Sequence, residues 1–129
     1  MRYLTAGDVC RIHELEVGPS GLPVDFGLLE SAVLRPQQGF GSREVHVGLH
    51  QKAAALFHGL VKNHPFIDGN KRAAVGALIV FYNLNGWDLV VDDAEIIDLA
   101  LRVAETDFSV DGIAEWFERR VERLVLPNE

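Results

Sequence analysis

Nonpolar residues recur at the three- and four-residue spacing of an amphipathic helix along most of the chain. In the first such segment Val9, Ile12 and Leu15 share one helical face, and Thr5 with Asp8 resembles a capping box at the start of the segment. The spacing predicts six helices: residues 5–14, 25–34, 49–63 and 70–85, a fifth from about residue 92, and a sixth over residues 110–124. The fourth is nonpolar on nearly every side, as expected for a central helix. The sequence therefore predicts an all-α fold, a compact bundle of about six helices.

Glycine, proline and polar residues mark the breaks between these helices. The strongest break, residues 18–23, is a predicted loop within one domain, since the flanking pieces are too small to fold separately. Residues 37–48 are rich in glycine and alternate weakly, which predicts a short strand or hairpin; a plain surface loop is the alternative. Residues 87–91 are a predicted short connector. The chain, residues 1–129, is thus predicted to be a single domain.

The charge balance bears on the kind of ligand. A net charge of −7 and a pI near 5.1 argue against a broad electrostatic footprint for nucleic acid. Basic side chains at Lys52, Lys62, Lys71 and Arg72 are nevertheless available to a small anion, because a local potential need not follow the net charge. This pattern favours a nucleotide over a polynucleotide.

The cysteine content and the first residues indicate a compartment. The single cysteine, Cys10, excludes an internal disulfide and has no cysteine partner for a zinc site. Residues 1–12 carry charged side chains through the part that would be nonpolar in a signal peptide. The nonpolar run over residues 73–82 is far shorter than the roughly 20 residues that cross a membrane. A cytoplasmic protein is therefore expected.

The most distinctive stretch is residues 64–72, whose sequence is His-Pro-Phe-Ile-Asp-Gly-Asn-Lys-Arg. Pro65 predicts that the preceding helix stops near His64. Lys71 and Arg72 fall in the first turn of the next helix, where the helix dipole favours negative charge. A phosphate bound there would meet free N–H groups and two cations together. The alternative is that both cations reach nearby Asp or Glu residues.

Three further residues in the same stretch bear on this choice. The imidazole of His64 can accept a proton from a hydroxyl near neutral pH. The carboxylate of Asp68 suits the Mg²⁺ that bridges nucleotide phosphates. Phe66 is nonpolar and is predicted to anchor the loop in the core.

Another histidine, His13, lies outside this stretch, near the end of the first helix. There we predict a capping or surface role.

Residues 64–72 resemble the active-site motif of the Fic/Doc family, whose members move phosphate-containing groups from a nucleotide to a protein hydroxyl. Members that transfer AMP have glycine where this chain has Lys71 and arginine where it has Val75, so this chain resembles the Doc (death-on-curing) branch. Ala73 departs from the threonine usual in Doc-like sequences. The resemblance covers roughly residues 4–90, and three more segments contribute to it: residues 26–32, 35–37 and 52–56.

Chemistry and this resemblance together assign roles within the motif. His64 is the candidate general base, and Asp68 is the candidate Mg²⁺ ligand. Gly69 and Asn70, including the Asn70 side chain, are expected to form an anion cradle. Lys71 and Arg72 are expected to neutralise the nucleotide phosphates during transfer. The sequence contains no P-loop and no kinase glycine-rich loop, so the motif itself is expected to hold the phosphates of ATP.

The resemblance implies a Doc-like toxin that transfers the γ-phosphate of ATP to a serine or threonine hydroxyl of a protein, with elongation factor Tu as the expected target, and so blocks translation. Lys71 is expected to fill space that one end of the triphosphate occupies in Fic enzymes, which would reverse the direction of the nucleotide. Two alternatives are transfer of AMP or another NMP to a protein hydroxyl, and a partner-binding module without enzymatic activity.

The resemblance also implies partners. Residues 37–48 correspond to the flap that orders the target segment in Fic/Doc proteins. The sequence lacks the inhibitory string [ST]-x-x-x-E-[GN] of self-inhibited Fic proteins. An external inhibitor is therefore expected, and the resemblance implies a Phd-like antitoxin, a largely disordered segment that folds onto a hydrophobic groove.

Overall fold

The computed structural model describes residues 1–18 and 24–125 of the chain. Within these residues it confirms the predicted all-α architecture, and no helix there is long and apolar enough to cross a membrane. Most of the predicted loop at residues 18–23 lies outside the described part. The six described helices are α1 (Ala6–Val17), α2 (Phe26–Leu34), α3 (Leu49–Asn63), α4 (Asn70–Leu84), α5 (Asp93–Glu105) and α6 (Val110–Glu118).

Polar side chains start four of these helices where the sequence predicts them. The Thr5 hydroxyl oxygen accepts a hydrogen bond from the backbone N–H of Asp8, and the Asp8 carboxylate accepts one from the backbone N–H of Thr5. Asp92 and Glu95 form the same reciprocal pair at the start of α5. Single caps from Asp25 and Ser109 begin α2 and α6. Each cap satisfies N–H groups that have no partner within the helix.

The core lies around α3 and α4. Helix α3 packs against α2, α4 and α6, and α4 also contacts α1 and α5. Phe57 of α3 and Tyr82 of α4 are fully buried and both meet the edge of Phe117 from α6, with ring centroids 5.7 and 6.0 Å apart. Small residues bring the helices close together: a Cβ on Gly76 of α4 would lie 2.7 Å from Ile12 of α1.

A two-stranded sheet replaces the predicted end of the sixth helix. Strand β4 (Val121–Arg123) pairs antiparallel with β3 (Trp87–Leu89), so the predicted connector and the predicted helical extension to residue 124 are both wrong. The helix ends at Glu118, and Arg120 then turns back over Trp116, with the guanidinium 3.8 Å from the ring and Nη1 donating to the Trp116 carbonyl. A three-residue strand then forms against a partner more than thirty positions earlier.

The predicted hairpin is present in the glycine-rich segment between α2 and α3. After a short 3₁₀ turn (Arg35–Gln37), strand β1 (Gly39–Phe40) pairs antiparallel with β2 (Arg43–Glu44). The Phe40 side chain at the tip is 82% exposed, so this hairpin presents a nonpolar group to solvent. It is a flap that extends from the helical body.

Candidate functional site

The end of α3 places His64. The helix stops at Asn63, and His64 adopts a left-handed backbone with φ 51° and ψ 54°, the one positive φ at a non-glycine residue in the described ranges. Pro65 explains this ending, because the residue before a proline is disfavoured in the right-handed helical region. The side chain of His64 is exposed. The backbone turn therefore carries the imidazole out of the bundle at a fixed point.

Asn70 holds the loop that follows. Its side-chain oxygen accepts the backbone N–H of Phe66 at 2.9 Å, and its amide nitrogen donates to the Phe66 carbonyl at 2.7 Å. Phe66 is buried, as predicted. We predicted that the Asn70 side chain would form part of an anion cradle; in the structure it is 5% exposed and bonded to the Phe66 main chain. The group that Asn70 offers to an anion is therefore its backbone N–H at the start of α4.

Gly69 makes the turn into α4. Its φ is +77°, and a Cβ at this position would lie 2.4 Å from Cγ2 of Val17 in α1, so only glycine fits. Within the described part of the chain no side chain caps the helix, and the first intrahelical bond runs from the Ala73 N–H to the Gly69 carbonyl. The N–H groups of the first turn are therefore free for a ligand.

The motif residues surround one concavity of about 220 Å³. It brings together all six residues predicted to act in the site, together with Ile67. They line it in chain order: His64, Ile67, Asp68, Gly69, Asn70, Lys71 and Arg72. The volume is below the roughly 300–1,000 Å³ of pockets that enclose a whole drug-sized ligand, so the concavity has a size that suits phosphate groups. Its electrostatics favour an anion, since two cations and the positive end of α4 face it.

Asp68 is the carboxylate in this concavity. Its side chain is exposed, and Oδ1 accepts the backbone N–H of Gly69 at 2.8 Å. The second carboxylate oxygen and the open face of the first remain available to a ligand. This geometry suits contact with a cation that approaches from the phosphate side.

His13 is a residue at this site that sequence reasoning missed. The prediction of a capping or surface role is wrong, because His13 is buried and its ring stacks on Phe66 with centroids 3.9 Å apart and planes 6° apart. Its Nε2 lies 2.8 Å from the Asp68 carbonyl oxygen. The available signal was position: His13 follows Val9 by four residues and so continues the buried face of α1.

The start of α2 supports the loop from the other side. Val24 forms a β-bridge with Phe66, and the Asp25 N–H donates to the Pro65 carbonyl at 2.9 Å. The Asn63 side chain donates to the Leu28 carbonyl at 2.9 Å. The loop is thus clamped between α1 and the residues that begin α2.

Two of the four cations considered for a small anion lie elsewhere. Lys52 is buried, donates to the carbonyls of Pro36 and His46, and pairs with Glu44 at 3.2 Å. It therefore ties the flap hairpin to α3, because it joins β2 and the segment after it to the helix. Lys62 donates to carbonyl groups at the end of α5, at 2.8 Å for Thr106. Only Lys71 and Arg72, of these four, line the concavity.

Comparison with known proteins places this site in a family. The family model described as Fic/DOC family matches residues 3–82, which is more than half of the chain. The chain belongs to the Fic/Doc family. It is 42% identical over 115 residues to Toxin Doc of Mycolicibacterium smegmatis, covering 86% of this chain and 82% of that protein. It is 28% identical over 122 residues to Protein kinase doc of Escherichia phage P1, covering 92% and 95%.

The Fic/Doc match confirms the resemblance deduced from the motif, and both relatives carry the name Doc. The matched range runs from Tyr3 to Tyr82 and so includes α1, the flap, the motif loop and most of α4. Residue His13 and its partner Asp68 both fall within it. The segments beyond it, α5, α6 and the small sheet, contact α3 and α4.

A divalent cation is implied by the Fic/Doc motif, and the donor chemistry fits one. Across residues 1–18 and 24–125, no group of three or more His, Cys, Asp or Glu side chains could hold a metal ion. Among the residues that the structure describes, Asp68 alone offers a carboxylate to the concavity. One carboxylate beside a phosphate-sized space would suit a Mg²⁺ ion, which Asp68 would hold together with the nucleotide phosphates and water.

Proposed function

We propose that this protein is a Doc-like toxin of a toxin–antitoxin pair, a kinase that transfers the γ-phosphate of ATP to a serine or threonine hydroxyl of a target protein. The observation that carries the proposal is the single concavity where His64, Asp68, Lys71 and Arg72 meet the free start of α4. The names of its relatives, Toxin Doc and Protein kinase doc, support it. Elongation factor Tu is the proposed target, with a block of translation as the result.

The residues divide the chemistry of transfer among them. An imidazole nitrogen of His64 takes the proton of the target hydroxyl, whose oxygen forms a bond to the γ-phosphorus. The bond from that phosphorus to the β–γ bridging oxygen breaks, and ADP leaves with the electron pair. Lys71, Arg72 and the N–H groups of α4 stabilise the negative charge on the phosphates. Mg²⁺, when bound at Asp68, supplies further charge neutralisation.

Two residues of α4 support a direction for the nucleotide. Lys71 is half-buried and lines the concavity, whereas Val75 packs against the core. The described wall of the site therefore holds a lysine where AMP-transferring members have glycine, and no cation from position 75. We propose that this arrangement directs the γ-phosphate toward His64. In the alternative, the α-phosphate lies there and AMP is transferred.

A Phd-like antitoxin is the proposed inhibitor. Two nonpolar side chains are exposed: Ile67, which lines the concavity, is 59% exposed, and Phe26 at the start of α2 is 63% exposed. A segment that folds onto such a surface buries nonpolar area and covers the concavity at once.

Intact-mass spectrometry tests the transferred group. Purified elongation factor Tu is incubated with Mg²⁺, ATP and the wild-type protein, the His64→Ala variant, the His64→Asn variant, or Asp98→Ala as a control. Asparagine tolerates the left-handed backbone of residue 64 better than alanine, so the two variants separate loss of the base from local strain. Asp98 is exposed on α5, away from the concavity.

We expect a gain of one phosphoryl group with the wild type and with Asp98→Ala, and a rate lower by roughly 10²–10⁴-fold with both His64 variants. A gain of one AMP instead would refute phosphoryl transfer. If elongation factor Tu stays unmodified, the same proteins are incubated with a bacterial lysate and γ-labelled ATP. Absence of His64-dependent label there would contradict a kinase.

A further inference from the structure

The Asp68–Gly69 peptide unit connects α1 to the concavity. Its carbonyl oxygen lies 2.8 Å from Nε2 of His13, and its N–H donates to Oδ1 of Asp68 at 2.8 Å. In a planar trans peptide the C=O and N–H groups point in opposite directions. A bond that fixes the carbonyl at α1 therefore also fixes the N–H that orients the Asp68 carboxylate.

The ring of His13 is itself held in place. Its stack on Phe66 fixes the plane of the imidazole, and its 7% exposure keeps water from competing for the carbonyl. A carbonyl oxygen can only accept a hydrogen bond, so Nε2 must carry a proton in this contact. Phe66 is in turn fixed by Asn70. The contact between His13 and the Asp68 carbonyl is thus rigid, and its donor is the Nε2–H group of His13.

We propose that His13 is a positioning residue for the transfer reaction: it holds the Asp68–Gly69 peptide so that the Asp68 carboxylate and the first N–H groups of α4 face the phosphates. Its effect on binding and rate rests on the proposed function, whereas its effect on the loop does not. His13 does not line the concavity. It acts through the backbone of the residue that carries the carboxylate.

Three variants separate this role from packing alone. His13→Phe keeps an aromatic ring for the stack on Phe66 and removes the donor. His13→Gln removes the ring and keeps an N–H group that can reach the Asp68 carbonyl. Ile12→Val is the matched control, because Ile12 is the preceding residue of α1, is also buried, and loses a single methylene. A packing role would make Phe the milder of the two His13 variants, and a positioning role would make Gln the milder.

The first measurement is amide hydrogen exchange without nucleotide. We expect exchange of residues 66–70 to be roughly three- to tenfold faster in His13→Phe than in the wild type, the size of one net hydrogen bond, and largely restored in His13→Gln. Ile12→Val should leave this loop unchanged. Equal loop exchange in His13→Phe and the wild type would overturn the proposal.

The second measurement is calorimetric binding of a non-hydrolysable ATP analogue over a series of Mg²⁺ concentrations. In His13→Phe the Mg²⁺ concentration for half-maximal binding should rise by a similar factor, with rescue in His13→Gln and no change in Ile12→Val. Faster loop exchange with unchanged binding would make His13 a packing residue and so overturn the role. If the wild type binds no nucleotide, the proposed function fails, and loop exchange still decides whether His13 holds the peptide.

One further measurement uses the unmodified protein, so it does not depend on whether a variant folds. In the unmodified protein, ¹⁵N chemical shifts of the His13 ring should report a protonated Nε2 that is coupled across a hydrogen bond to the Asp68 carbonyl. A neutral ring protonated at Nδ1 instead would refute the contact on which the proposal depends.

Discussion

Gly69 illustrates how a single residue can hold the site together. Replacement by alanine adds a Cβ that meets Val17 and also forces a left-handed backbone that costs about 1–2 kcal/mol. We expect Gly69→Ala to lower the free energy of unfolding by about 2–4 kcal/mol, since strain and overpacking combine, and to slow transfer. Urea unfolding and the mass assay measure the two effects.

Gly86 supplies the control for this prediction. It has a similar backbone, with φ +87°, but a Cβ there would meet no atom within 4 Å. Gly86→Ala should therefore show only the cost of the backbone, about 1–2 kcal/mol, with transfer unchanged. Equal losses of stability at the two glycines would show that contact with α1 contributes nothing.

Individual residues of the site differ in how far the sequence could predict them. The structure places His64, Asp68, Lys71 and Arg72 around one concavity, because they lie within one short turn and their spacing already constrains them. His13 was missed because its contact with the loop spans 55 positions. Spacing along a helix predicts that such a residue is buried, and only tertiary packing determines what it meets.

Among the secondary-structure elements, the flap hairpin depends on one buried lysine, Lys52. Lys52→Met keeps the nonpolar stem and removes the donor shared by the Pro36 and His46 carbonyls and Glu44. Unpaired buried acceptors cost about 1–3 kcal/mol, so the free energy of unfolding should fall by that amount. Hydrogen exchange and limited proteolysis over residues 37–48 should increase most.

The matched control for this element is Lys62→Met. Lys62 lies on the same helix and also donates to backbone carbonyls, but it is exposed, so water replaces its hydrogen bonds. Its replacement should change stability by less than about 0.5 kcal/mol and leave the flap protected. A flap that exchanges equally fast in both variants would contradict an anchoring role for Lys52.

Helices and strands were not equally predictable from the sequence. Helical spacing and caps such as Thr5 are local signals, so the helices α1 to α4 were predicted within three residues of their observed bounds, and α5 was predicted at its start. Strands β3 and β4 have three residues each, and each forms only because the other is present. For the same reason Val121, which the helical pattern included, belongs to a strand.

The stability of the whole molecule should fall on mild acidification. Burial, with the charges of Arg35 and Lys62, holds the pKa of His58 below its ordinary value of 6.5, and burial with Arg35 and Lys52 does the same for His46. The unfolded chain then binds protons more readily. The contribution of His58 and His46 to the free energy of unfolding is therefore complete above about pH 6.5. It is lost as the pH falls toward the lower pKa values that these groups have in the folded protein.

His58→Asn tests this pH dependence. The Arg35 guanidinium can only donate, so Nδ1 of His58 accepts its hydrogen bond at 2.7 Å, and an asparagine oxygen can replace that acceptor without titrating. Chemical unfolding between about pH 7.5 and pH 5.5 should show a smaller loss of stability in the variant, with a remainder from His46. An identical loss in both proteins would refute the role of His58.

The contact of α6 with α3 has a consequence for the timing of synthesis. A ribosome that has translated residue 72 has added every motif residue, yet α3 still lacks Phe117, the ring that packs on Phe57. At roughly 5–20 residues per second, several seconds pass before that ring is added. A nascent chain in this interval carries the complete motif on an unsupported helix. Activity is therefore expected to begin only after α6 has left the ribosome.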